Sequence, residues 1–172
     1  MKTLILLLLL TPLFCIAQDL NYDTAPAFDN LQVWNIETGT DQDNGLAITQ
    51  AKVFSLNKWE VAGSEDVDAY ALCFIGQKRG TLVASLIVNG LEFDIEQSNA
   101  ALVSYDGKPP VKLIIDTALD GKKGSIKFLD PEQFRGGLFK SERFAISAYF
   151  KDKGFLKFEF DNGAFNQISF TE

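Results

Sequence analysis

The sequence contains no histidine. That absence removes the Ser-His-Asp triad, the Cys-His dyad and every histidine-based zinc site. Cysteine is almost as scarce, with only Cys15 and Cys73. Basic residues are outnumbered, 16 against 23 acids, for a formal net charge of −7. Nucleic acid and anionic lipid both reward clustered Lys and Arg, so this balance argues against either partner. Acidity of this kind keeps an exported chain in solution. Long apolar runs are missing too, except for one at the N-terminus.

That run has the three parts of a cleavable secretory signal over residues 1–17. Lys2 is the positive start, and Leu4 to Leu10 form an apolar core that Thr11 and Pro12 end. Cys15-Ile16-Ala17 places small residues at the −3 and −1 positions of a cleavage site. A membrane-spanning helix needs ~20 apolar residues, and Pro12 stops this one short. Cleavage after Ala17 predicts an exported chain, periplasmic or extracellular, beginning at Gln18. Cys15 offers a second route, lipidation and a membrane tether, for which Phe14 is a poor neighbour. The signal carries one lysine and no acid, so the mature chain is one unit more acidic. It keeps Cys73 alone and folds without an internal disulfide. Cys73 lies in the apolar run Ala69-Tyr-Ala-Leu-Cys-Phe-Ile75, where a buried, unreactive thiol is expected.

Residues 18–30 are polar, contain Pro26, and read as a flexible lead-in. Residues 31–172 read as a single domain. Their grammar is that of strands: short runs rich in Val, Ile, Phe and Tyr between Gly, Asn and Asp turns. Strands are predicted over 31–37, 46–56, 67–75, 81–88, 91–95, 102–105, 111–117, 125–129, 144–150, 155–160 and 164–170. Asn89-Gly90 is the strongest hairpin signal, because that dipeptide suits the type I′ turn. One helix is predicted near residues 131–140, with Asp130 as N-cap, Pro131 in the first turn and Glu132 at the positive end of the dipole. Phe134, Leu138 and Phe139 would face the core, and Gly136-Gly137 would weaken the helix. The expected fold is mainly β: an antiparallel sandwich or open barrel of about nine or ten strands with one short helix.

Paired carboxylates are the remaining catalytic device. Asp41 with Asp43, Glu65 with Asp66 and Asp68, and Asp94 with Glu96 form visible clusters. Glycoside hydrolysis needs two carboxyls set across a bond at a defined separation, and nothing marks one pair among 23 acids. Asp41-Gln-Asp-Asn-Gly45 has the look of a calcium loop, but its glycine comes one position early. No catalytic residue, metal ligand or cofactor is therefore assigned. Lys78-Arg79-Gly80 and Lys122-Lys123-Gly124 are basic turns on an acidic molecule, able to grip an anionic partner such as a carboxylate.

Several pieces recur in a known order. They are Trp34-Asn-Ile36, Ala71-Leu-Cys-Phe74, Val103-Ser-Tyr-Asp-Gly-Lys108, Phe134 with Leu138, Lys140-Ser-Glu-Arg-Phe-Ala-Ile146 and Phe158-Glu-Phe-Asp-Asn-Gly163. The order resembles exported VasI/TagO-like proteins associated with type VI secretion, and related secreted β domains, from Leu31 to the end. Where that pattern commonly reads Tyr-Arg-Phe-Asp-Asp-Gly, this chain has Val103-Ser-Tyr-Asp-Gly107, so the arginine's role does not carry over. The resemblance implies a non-catalytic accessory or binding protein of the envelope. The partner would be an envelope protein or a glycan, and the candidate contact residues are Lys78, Arg79, Tyr105, Asp106 and Lys108. A carbohydrate-binding or carbohydrate-active module is the alternative, resting on the acid clusters and on 15 Phe, 4 Tyr and 2 Trp.

Overall fold

The computed structural model describes residues 33–40, 47–61, 68–78, 80–118, 121–163, 165–168 and 170. The export signal, Cys15, the lead-in, the Asp41–Gly45 turn, Glu65, Asp66 and Arg79 lie outside the described residues. The ordered elements are β1 (Asn35–Thr40), β2 (Ala47–Phe54), β3 (Trp59–Glu60), β4 (Asp68–Ala69), β5 (Ala71–Lys78), β6 (Thr81–Val88), β7 (Ala100–Tyr105) and β8 (Val111–Thr117). They continue with β9 (Ser125–Phe128), α1 (Pro131–Leu138), β10 (Arg143–Phe150), β11 (Gly154–Asp161) and a 3-10 turn at Phe165–Gln167.

Nine strands form an antiparallel sheet in the order β1-β2-β5-β6-β9-β8-β7-β10-β11, and β3 pairs with β4 in a small second sheet. The architecture is the expected one, mainly β with one short helix. β8 is where the sheet turns. Its first half, Val111–Ile114, pairs with β7, and its second half, Ile115–Thr117, pairs with β9. The bend folds one half of the sheet over the other. Cys73, Ile75 and Leu86 from the first half then share one core with Val103, Ile146, Phe158 and Phe160 from the second. Alternation makes this work: in β11, Leu156, Phe158 and Phe160 are buried while Lys157 and Glu159 are wet. Aromatic stacking fills the middle. Phe144 lies against Phe160 at 4.6 Å, and Phe128 against Phe134 at 4.6 Å, between ring centres. Cys73 is fully buried and burial raises its thiol pKa, which keeps it a thiol.

Two predicted strands do not form. After Asn89-Gly90 the chain does not return as a hairpin. Asn89 instead turns its side chain to the start of β5: Tyr70 N–H donates to Oδ1 at 2.7 Å, and Nδ2 donates to the Asp68 carbonyl at 3.2 Å. Gly90 still takes the positive φ that the turn requires. Beyond it, Phe93 inserts into the core, makes one bridge to Phe150, and Asp94 closes a tight turn onto Gln97 and Ser98. Near the C-terminus, residues 165–167 form the 3-10 turn in place of a strand, because the turn carries Phe165 inward to pack against Trp34, tilted, at 4.9 Å. The predicted third strand is also interrupted at Tyr70.

Candidate functional site

Antiparallel register brings five features to one end of the sheet: the β5–β6 turn, the β7–β8 turn, α1, the start of β10 and the exit from β11. α1 is built as its sequence predicts, with a side-chain acceptor at its N-cap. Asp130 Oδ1 accepts from Gln133 N–H at 2.9 Å, Pro131 opens the helix, and Phe134 and Leu138 are buried. Phe139, expected to face the core, is instead 41% exposed, because the helix ends at Leu138 and leaves Phe139 as its C-cap. The Gly136-Gly137 pair has a packing reason at one position. A Cβ on Gly137 would lie 2.1 Å from the Tyr105 ring, so only glycine lets the helix sit on that ring. Tyr105 then donates its hydroxyl to the Phe134 carbonyl at 3.1 Å. Burial, and secondarily the nearby Cys73, holds the Tyr105 hydroxyl above its usual pKa. This tyrosine secures the helix.

Asp106 plays a different part. It sits at the turn with φ of 50°, and its Oδ1 accepts from both Arg143 N–H (3.0 Å) and Glu142 N–H (2.9 Å). Those two backbone donors hold its carboxyl below the usual carboxylate range, with Lys108 adding to the effect. Asp106 thereby sets the backbone of one wall of a cleft of about 330 Å3 lined by Ser141, Glu142, Arg143, Asp161, Asn162 and Asn166. Asn162 forms the floor. It is 2% exposed, and every polar atom of its amide is used. Oδ1 accepts from Trp34 Nε1 at 2.9 Å. Nδ2 donates to the Leu138 carbonyl at 2.6 Å and to the Ser141 carbonyl at 2.7 Å.

Four of the five candidate contact residues are described, and they separate. Asp106 and Lys108 share the exposed β7–β8 turn, Tyr105 is committed beneath α1, and Lys78 ends β5 at the same end of the sheet, with β6, β9 and β8 between it and β7. Lys123 is paired with Glu92 at 3.3 Å on the far side of the fold. Of the acid clusters, Asp68 pairs with Lys58 at 3.0 Å and Asp94 is taken up in its own turn. Among the described residues no group of three His, Cys, Asp or Glu side chains is placed to hold a metal ion. Glu142, Arg143, Asp161 and Asn166 are site residues that sequence reasoning did not single out. They fall in or beside two segments already noted, Lys140–Ile146 and Phe158–Gly163, but spacing alone does not say that these meet.

A second exposed feature lies on the outer face. Trp59 and Phe155 are 38% and 46% exposed, and Tyr149 packs on Phe155 at 5.0 Å. Trp59 is oriented by donation from Nε1 to the Lys157 carbonyl at 3.1 Å. No protein-family model, curated protein or solved structure matches this chain. No helix among the described residues is long and apolar enough to cross a membrane.

Proposed function

We propose that this chain is an exported, non-catalytic accessory protein that binds another protein of the cell envelope, in keeping with its resemblance to VasI/TagO-like proteins. One observation carries the reading. The segments that bear the resemblance are dispersed from Trp34 to Gly163, yet five of them meet at one end of the fold. Trp34 reaches Asn162, Asp106 reaches Glu142 and Arg143, and Tyr105 reaches the helix. Their shared product is a cleft presenting Arg143, Glu142, Asp161 and Asn166, a mixed-charge surface suited to polar contact with a protein. Intact mass of the chain recovered after expression from its own N-terminus tests export, with Gln18 as the expected first residue. Crosslinking from a photoreactive residue at position 166 in envelope extracts tests the cleft. Loss of a defined adduct on Arg143→Glu supports the reading; unchanged crosslinking counts against it.

Glycan binding is the second reading, favoured by the exposed Trp59 and Phe155 and the half-buried Tyr149 beside Phe155, since sugar C–H faces stack on aromatic rings. A glycan array on which the protein and its Trp59→Ala variant behave identically would remove it.

A further inference from the structure

β1 is the open edge of the sheet. Among the described residues it pairs only with β2, and all six of its residues are exposed. Among the described residues nothing bonds to its outer row of N–H and C=O groups. Its inward face is bare as well. Ile36 and Thr38 share a face with Ala51 and Thr49 of β2, which are buried, yet Ile36 is 42% exposed. Trp34, two residues before Ile36, is buried against Phe144 and Phe165, whereas Ile36 is not buried. Exposed edges are ordinarily blocked by lysine, proline or a bulge, and Asn35-Ile-Glu-Thr-Gly-Thr40 carries none of these.

We infer that β1 is a docking strand that takes up an extended segment of a partner protein as a tenth strand. Such a segment alternates basic and apolar side chains. Backbone geometry sets its conformation, since only another extended strand can satisfy that row of groups. Side chains set its character. An apolar residue packs on Ile36, and a basic one meets Glu37 on the other face. Glu37 bonds to Lys52 through Oε1 at 2.8 Å, and its Oε2 has no partner among the described residues. That pair is locally close to neutral, so the attraction comes from Oε2 and from the acidity of the whole chain. A second copy fits less well on two counts. Two chains of formal charge −7 repel each other. A six-residue edge pair also buries far less surface than an ordinary stable interface.

The inference deepens the reading of the chain as a binding protein and rests on it, but its test is independent of export. Isotope-labelled protein is titrated with a synthetic peptide of about eight residues alternating Lys and Val. A peptide of equal charge with proline at the valine positions is the control. The expected result is chemical-shift change and slowed amide exchange along Asn35–Thr40. Affinity should fall about tenfold for the proline peptide, which cannot complete the ladder. It should also fall severalfold for Glu37→Gln and for Ile36→Lys, both exposed enough to leave the fold intact. Shifts spread over the acidic surface, or equal binding of the two peptides, overturn the inference. So does slowed exchange at β1 that grows with protein concentration before any peptide is added, because the occupant is then a second copy.

Discussion

The two outer strands of the sheet are finished differently. β11 ends one side and is covered. The segment following β2 lies along it: Leu56 N–H donates to the Glu159 carbonyl at 2.7 Å, and Glu159 N–H donates to Asn57 Oδ1 at 2.7 Å. The Lys157 carbonyl accepts from both Asn57 Nδ2 and Trp59 Nε1. β1 ends the other side and, among the described residues, receives nothing of the kind. Among the described residues, the chain has a means of guarding an edge and uses it on β11 alone. The contrast also explains why the sheet stops short of a closed barrel: one backbone bond and several side chains, rather than a strand ladder, meet β11. The two edges are tied together at one point, where Asn162, just after β11, holds Trp34, just before β1.

Cutting that tie has the largest expected effect. Asn162→Leu leaves the Trp34 indole N–H and the Leu138 and Ser141 carbonyls short of a partner in a buried site. The expected loss is about 3 kcal/mol, read as a lower urea midpoint. Exposing the guarded edge comes next. Asn57→Ala removes two bonds to β11. It should lower stability by about 1–2 kcal/mol, with faster exchange of the Glu159 amide. If the Glu159 amide exchanges no faster, side-chain capping is not what guards β11.

Asp106 gives a smaller, pH-dependent effect. Its carboxyl pKa is depressed in the folded chain, so its stabilising contribution is full above the ordinary carboxylate pKa. The contribution is lost as pH falls through the lower, folded value. Asp106→Asn should therefore flatten the acid limb of the stability–pH curve, measured by thermal melts between neutral and strongly acidic pH. The smallest effect belongs to the bare edge. Neither face of β1 is buried. Thr38→Lys should therefore shift stability by no more than about 0.5 kcal/mol in a urea titration, the ordinary range for a surface substitution. A larger loss would mean that β1 is covered in solution.

Local rules read most of the fold. β6 spans Thr81–Val88 as predicted, and the helix has its predicted cap and buries Phe134 and Leu138 though not Phe139, because alternation and capping act between near neighbours. Asn89-Gly90 misled for the opposite reason. Its turn geometry is local, but the asparagine side chain found better donors and acceptors in a strand distant in sequence. The terminal segment failed in the same way, since the reward for burying Phe165 against Trp34 is invisible in its own neighbourhood. Within the site, Asp106 was legible as a turn residue. Tyr105 was read as a candidate contact, but its place under Gly137 was not legible, because it depends on how the helix lands.

By itself the sequence determined what kinds of chemistry were open. Without histidine and with a surplus of acids, it closed off most nucleophilic and zinc catalysis and disfavoured nucleic acid. It also determined the strand class, since alternation is written residue by residue. Only the tertiary structure decided which segments meet. It placed Asp106 on the Glu142 and Arg143 amides, Asn162 beneath Trp34, and a guard on β11. Those outcomes depend on strand order and on where the sheet bends at β8, which are set by global packing and not by any run of neighbouring residues.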